Sequence, residues 1–142
     1  MSLASEIKKH AGTSINTMKK FKRISVKPYD RYKFEVIEPL SVNLDIIKFI
    51  LPKGYTTDGA SVPRVFWSLY PPYKPEWLTA CVIHDYLCSR ATHAENKREA
   101  YRIADLALKE ALEYLEVDKI TTFMFYHFCD KIHKIKGVFL WR

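Results

Sequence analysis

The segment "TACVIHDYLC", residues 79–88, places a histidine and an aspartate side by side inside an apolar run. Before this segment, residues 23–57 alternate apolar and polar side chains and are rich in Val, Ile, Phe and Tyr, which is typical of short antiparallel strands. After it, apolar residues recur every three or four positions, as in amphipathic helices. The order of strands and then helices predicts an α+β domain, with a small antiparallel sheet from the N-terminal half packed on three or four C-terminal helices.

Proline, glycine and small polar residues in the chain suggest where these elements begin and end. Three or four strands are expected within 22–29, 32–44 and 46–55, and a loop follows in "LPKGYTTDGASVP", residues 51–63. Helices are expected within 63–72, 75–90, 92–116 and 117–135. Thr92 with Glu95 has the spacing of a capping box, Asp118 is a candidate cap of the last helix, and Gly137 is expected to end that helix.

The formal net charge of +7 is concentrated at the two ends of the chain. We interpret residues 1–22 as a basic arm that orders against a partner, and residues 23–142 as a single domain. Such an arm can contact nucleic acid, an anionic surface or a protein of a phage assembly, and the alternative is a solvated tail. Its cationic residues, with the first residue of the domain, are Lys8, Lys9, Lys19, Lys20, Lys22 and Arg23.

The sequence also limits the cellular setting. No apolar run reaches the roughly 20 residues that span a bilayer, and the first residues lack the apolar region of a signal peptide. The three cysteines are an odd number, so reduced thiols are expected. These features favour a cytoplasmic or virion-associated protein that is not secreted through a signal peptide.

The residues with catalytic potential are His84, Asp85 and Asp105. Because His84 and Asp85 are neighbours on a helix, their side chains point about 100° apart and cannot pair with each other. Asp105 lies in the next helix, at a level that suits a hydrogen bond with one imidazole nitrogen, so that the other nitrogen could take a proton from water. Asp85 would then be available for calcium, together with the loop at Asp58 and Gly59.

Two other interpretations of these residues remain open. His84, Asp85 and Asp105 can form a hydrogen-bond network that only stabilises the core. Alternatively, Cys81, His84 and Cys88 share one helical face and could bind zinc with Cys129 or His127 as a fourth ligand. His127 and His133 are otherwise expected at the rim or surface of the last helix, and Arg64 can bind an anion or pair with an acid.

Three segments resemble a known family. "LPKGYTTDGASVPRVFW", "ACVIHDYL" and "ADLALKEAL" are similar to a phage and bacterial family described as a domain of unknown function (number 1353), over roughly residues 33–115. The loop motif is quite specific, whereas Cys88 stands where the family often has a tyrosine. The resemblance implies a phage or prophage accessory or virion protein in which the site residues are structural.

A more remote resemblance is to the phospholipase A-2 superfamily. It implies the alternative function, an esterase-like or phospholipase-like hydrolase in which His84 activates water, Asp105 orients the histidine, and Asp85 holds calcium with loop carbonyl groups. The chain departs from that superfamily at Ala60, which replaces the loop cysteine, and at Cys88. The residues at matching places are Asp58, Ser61, Cys81, His84, Asp85 and Asp105.

Overall fold

A computed structural model describes residues 19–31, 33–57, 67–71 and 73–140, without the side chains of residues 139 and 140. The strands are β1 (Val26–Asp30), β2 (Lys33–Val36), β3 (Leu40–Asn43), β4 (Lys48–Leu51) and β5 (Thr56–Thr57). The helices are α1 (Leu78–Ala91), α2 (Lys97–Tyr114) and α3 (Lys119–Leu140). Short antiparallel strands therefore occupy the N-terminal half and helices the C-terminal half, which confirms the predicted α+β class.

The strands form two small antiparallel sheets rather than one. β1, β2 and β5 pair in that order, and β3 pairs with β4. The sequence between β2 and β3 contains Pro39, which has no N–H to continue a ladder, so the segment 32–44 is divided into two strands. β5 was predicted as loop, but Thr56 and Thr57 pair with Glu35 and Phe34 of β2.

The turn before β5 explains how this pairing is reached. Gly54 has a φ of +89°, a conformation that residues with a side chain rarely adopt, and the amide of Tyr55 donates to the carbonyl of Pro52 at 3.3 Å. The amide of Val36 in turn donates to the carbonyl of Tyr55. The Pro–Lys–Gly turn thus returns the chain directly alongside β2.

The start of α2 differs from the predicted capping box. The side chain of Asn96, rather than that of Thr92, accepts the backbone N–H of Glu99 at 3.1 Å. The hydroxyl of Thr92 donates instead to the carbonyl of Ser89, because residues 92–94 continue the last turn of α1. The helix therefore begins at Lys97, and its cap lies four residues later than expected.

The prediction for the start of α3 is confirmed, and the prediction for its end is wrong. Asp118 accepts the backbone N–H of Thr121 at 2.9 Å, which confirms it as the cap. Gly137, however, does not end the helix, which continues to Leu140. Gly137 is buried, and its carbonyl accepts a hydrogen bond from Arg98 at 2.6 Å. Tertiary packing against α2 therefore outweighs the low helix propensity of glycine.

The predicted arm and the first predicted helix are described only in part. Lys8 and Lys9 lie outside the described residues, and so does half of the 63–72 segment, of which residues 67–69 form a turn. Lys20 belongs to the folded part, because its ammonium group lies 2.8 Å from the carboxylate of Glu110. Phe21 is buried in the core.

The core lies between the sheets and the helices. α2 packs against both α1 and α3. Val36, Val42 and Leu51 contribute from the strands, and Ile83 and Leu108 from α1 and α2, all with no accessible surface. Burial of each such side chain favours folding by about 1.5–3 kcal/mol. This packing fixes the facing sides of the three helices, where the candidate site lies.

Candidate functional site: a buried His–Asp–His network

The centre of the site joins α1 to α2. The Nε2 atom of His84 lies 2.8 Å from the Oδ1 atom of Asp105. The His84 side chain has no exposed surface and that of Asp105 is 1% exposed. The structure therefore brings together the two residues that the sequence predicted as a pair, because the short connection at residues 92–96 sets the two helices beside each other.

His133 on α3 is the member that the sequence analysis did not find. Its Nδ1 atom lies 2.7 Å from Oδ2 and 2.9 Å from Oδ1 of Asp105, and its side chain is 11% exposed. It does lie at the rim of the interior, but the contact with Asp105 was not expected. A usable signal was its spacing, since Phe125, Cys129 and His133 repeat every four residues and the first two are buried.

We call His84, Asp105 and His133 the His–Asp–His network. Burial by itself would raise the pKa of Asp105, but the hydrogen bonds from His133 and His84 outweigh burial and lower that pKa. Asp105 is therefore ionised at neutral pH. An ionised carboxylate can only accept hydrogen bonds, so Nε2 of His84 and Nδ1 of His133 are the donors.

The second ring nitrogen of His84 has a different environment. Among the described residues, Nδ1 of His84 is the one buried side-chain nitrogen or oxygen atom without a hydrogen-bond partner. Because Nε2 donates the hydrogen bond to Asp105, Nδ1 carries a lone pair whenever the ring is neutral. An unsatisfied buried acceptor costs about 1–3 kcal/mol, so the fold maintains this atom at a cost to its stability.

Cys88 is the residue in contact with the network that could extend it to a metal site. Its Sγ atom lies 3.4 Å from Nε2 of His84, and ligand atoms of His84, Cys88 and Asp105 lie within 4.8 Å of one another. Nitrogen, sulfur and carboxylate ligands suit zinc. However, burial raises the pKa of Cys88 well above its usual range, so a metal would have to displace a proton from this thiol.

The zinc ligand set predicted from the sequence is not formed in the described part of the chain. Cys81 is buried and does not join the cluster of His84, Cys88 and Asp105. The His127 ring lies against that of Phe123, tilted by 40° with centroids 4.1 Å apart, on the outer side of α3. Residues 81 and 88 are seven positions apart, about 10.5 Å along the helix axis, which is too far for both thiols to reach one metal ion with His84.

Asp85 points away from the network, as its position beside His84 predicted. Its Oδ2 atom accepts a hydrogen bond of 2.6 Å from the hydroxyl of Tyr55. The other predicted members of the calcium and loop sites, Asp58, Gly59, Ser61 and Arg64, lie outside the described residues. Calcium binding by Asp85 therefore stays a prediction.

Two cavities border the network. A groove of about 520 Å³ contains Cys88, Tyr101 and His133 in its wall, together with Tyr55 and Asp85. A smaller cavity of about 220 Å³ contains Asp105 and His133. His133 lines both cavities, so the network reaches the protein surface at this residue while His84 remains enclosed.

Comparison with known proteins assigns the chain to a family. The family described as a protein of unknown function (DUF1353) matches residues 34–128, which are two thirds of the chain and include His84 and Asp105. The chain belongs to this family, as the sequence motifs predicted. His133 lies beyond the matched range.

The chain was also compared with individual proteins and with solved structures. The chain is 41% identical over 59 residues to "Uncharacterized protein y4jT" from Sinorhizobium fredii (strain NBRC 101917 / NGR234), a match that covers 39% of the chain and 18% of that protein. No solved structure matches significantly. Within the described residues, no helix is both long and apolar enough to cross a membrane.

Proposed function

We propose that this protein is a hydrolase in which the His84–Asp105 pair activates a water molecule. The observation that carries the proposal is the state of the His84 ring. Its Nε2 atom is bound to an ionised carboxylate at 2.8 Å, and its Nδ1 atom is buried without a partner among the described residues. An oriented imidazole with one unpaired ring nitrogen meets one requirement of general-base catalysis. Because the His84 side chain has no exposed surface, catalysis also requires the side chains around it to open so that water and ester reach Nδ1.

The residues of this chain would act in the following order. Nδ1 of His84 takes a proton from water, and the resulting hydroxide attacks the carbonyl carbon of an ester. Asp105 stabilises the positive charge that the ring acquires, and His133 holds the carboxylate in position from α3. When the tetrahedral intermediate collapses, the proton on Nδ1 passes to the departing alcohol oxygen, which regenerates the neutral ring. These are the roles that the remote sequence resemblance to the phospholipase A-2 superfamily implies.

Calcium is not part of this sequence of steps. Calcium takes six to eight oxygen ligands, and at the predicted position the described residues offer the single carboxylate of Asp85, one oxygen of which is bound to Tyr55. The described residues therefore do not form a calcium site by themselves.

A second candidate function has its own supporting observation. His84 and Asp105 are enclosed, and Asp105 accepts hydrogen bonds from helices on both sides. A network of this kind ties α1, α2 and α3 together and specifies their register. It supports the candidate in which these residues are structural, in a phage or prophage accessory protein whose basic N-terminal residues contact a partner.

One pair of variants separates the two candidates. His84→Gln removes the general base, and His127→Gln is the matched control on the outer side of α3. Hydrolysis is measured on p-nitrophenyl esters of increasing chain length and on phosphatidylcholine vesicles. The hydrolase proposal expects turnover by the wild type, a loss of about 100-fold or more in His84→Gln, and no change in His127→Gln.

The stability of the same variants completes the design. If the wild type hydrolyses none of these esters while His84→Gln lowers the free energy of unfolding by several kcal/mol, the network is structural and the hydrolase proposal is wrong. If His84→Gln folds with the wild-type melting temperature and has lost its activity, the structural candidate is wrong.

A further inference from the structure

The outer face of α3 is apolar although it faces solvent. Ile120 is 72% exposed, Phe123 57% and Ile135 58%, and Met124 and Val138 are exposed as well. Positions 120, 123 and 124 lie within about one turn of one another, and the eleven residues from Met124 to Ile135 are about three full turns, so all five side chains project from one side. We call these five residues the α3 outer face; it extends over about 27 Å.

The opposite side of the same helix packs on the core. Phe125 and Cys129 are buried there, together with the polar Thr121. A helix that packs one face on its own core normally presents charged and polar residues on the other face. Large apolar side chains exposed along one side of a helix are typical of a surface that binds a macromolecule or a membrane.

The charges on the α3 outer face indicate what covers it. Lys131 and Lys134 lie between Met124 and Ile135 on the same side of the helix, and both are exposed. Lys134 pairs with Asp130 at the margin of the face, at 2.9 Å. With Asp130 paired to Lys134, Lys131 leaves a net positive charge beside the apolar positions, so the face is apolar and weakly cationic.

We propose that the α3 outer face binds the surface of an anionic lipid membrane, with the helix lying in the plane of the interface. Apolar side chains would enter the boundary between head groups and acyl chains, while the lysine stems extend along it and their ammonium groups contact lipid phosphates. A second copy of this chain fits less well, because two faces with the same lysines, on chains of net charge +7, repel each other.

This inference is independent of the hydrolase proposal, since none of the five residues touches the His–Asp–His network. Binding is measured by co-sedimentation of the full chain with vesicles of phosphatidylglycerol and phosphatidylcholine in equal parts, and with vesicles of phosphatidylcholine alone. The wild type should sediment with the anionic vesicles and much less with the neutral ones. Raising the salt should weaken binding, because the screening length falls from about 10 Å at 0.1 M to about 3 Å at 1 M.

Two matched variants locate the binding surface. Ile120→Ser with Phe123→Ser removes two of the most exposed apolar side chains of the face and should lower the partition coefficient at least about tenfold, since each buried side chain contributes substantially to transfer. Ile50→Ser is the control, because Ile50 is 66% exposed on β4 and lies outside the face. Circular dichroism and the melting temperature should be unchanged in both variants.

Three outcomes overturn the proposal. The first is a wild type that binds neither kind of vesicle. The second is a double variant that binds anionic vesicles as well as the Ile50→Ser control does. The third is a concentration-dependent dimer in analytical ultracentrifugation that the double variant abolishes while vesicle binding is absent, which would assign the face to a second copy of the chain.

Discussion

Asp105→Asn is the substitution that tests the His–Asp–His network most directly. Asparagine has nearly the same shape as aspartate, but it carries no charge and presents one acceptor oxygen and one NH₂ donor. Asp105 receives hydrogen bonds from His84 at 2.8 Å and from His133 at 2.7 Å. The amide oxygen can retain one of them, and the NH₂ group then faces a ring N–H of the other histidine.

The expected loss of unfolding free energy in Asp105→Asn follows from the number and burial of these hydrogen bonds. Each hydrogen bond to a charged group contributes about 1.5–3 kcal/mol, and the substitution weakens one of the two bonds and replaces the other by two N–H groups that face each other. We therefore expect Asp105→Asn to lower the free energy of unfolding by about 3–5 kcal/mol. For a domain of this size the melting temperature should fall by roughly 10–15 °C.

Urea denaturation followed by circular dichroism measures the effect. The midpoint should fall while the slope of the free energy against urea concentration stays constant, which indicates lost stability rather than a changed unfolded state. Asp45→Asn is the matched control, because the Asp45 side chain is 90% exposed and its ion pair with Lys20, at 3.4 Å, is screened by solvent. This substitution should change the free energy of unfolding by less than about 0.5 kcal/mol. An Asp105→Asn protein as stable as this control would refute the reasoning.

Three further predictions concern acid, the start of α2 and the thiols. Because hydrogen bonds lower the pKa of Asp105 in the folded protein, its ionised form stabilises the fold above the unfolded pKa of about 4, and this contribution is lost as the pH falls through the folded value. The difference in unfolding free energy between wild type and Asp105→Asn should therefore shrink below about pH 4, as measured by urea titrations at several pH values. Asn96→Ala should cost about 1 kcal/mol, whereas Glu95→Ala should cost less than about 0.5 kcal/mol. Burial raises the pKa of Cys81 and Cys88 well above the usual range, so both thiols should react slowly with iodoacetamide at pH 8 until urea is added.

Each of these has an outcome that contradicts it. A constant difference between wild type and Asp105→Asn down to pH 3 would mean that Asp105 is not held ionised by the two histidines. Equal losses in Asn96→Ala and Glu95→Ala would favour the capping box predicted from the sequence. Rapid alkylation of Cys88 in the folded protein, located by mass spectrometry of peptides, would show that its thiol is accessible and activated.

The sequence was most informative where local chemistry decides structure. The alternating segment 23–57 and the periodic segments after residue 75 indicate strands and helices without knowledge of the fold. Asp118 caps α3 as predicted, since the hydrogen bond from Thr121 involves residues three apart. The family could likewise be recognised from the loop and helix motifs, because these are contiguous stretches of sequence.

Sequence reasoning failed where two local signals compete or where a partner is distant. Thr92 and Asn96 are both good helix caps, and the continuation of α1 through residue 94 decides between them. Gly137 is an ordinary helix terminator, but its contact with Arg98, 39 positions earlier in the chain, lies within the continuing helix. Lys20 belongs by composition to a basic arm, yet its position is fixed by Glu110, 90 residues away.

The sequence by itself therefore determined the α+β class, the family and the pairing of His84 with Asp105, because adjacent helices with a short connection leave few ways to place two buried polar residues. Only the tertiary structure decided that His133 completes the network, that His84 is enclosed, and that the outer face of α3 is left uncovered. These three features depend on how α3 packs against α2, and helical periodicity gives the faces of a helix without giving the neighbour that each face meets.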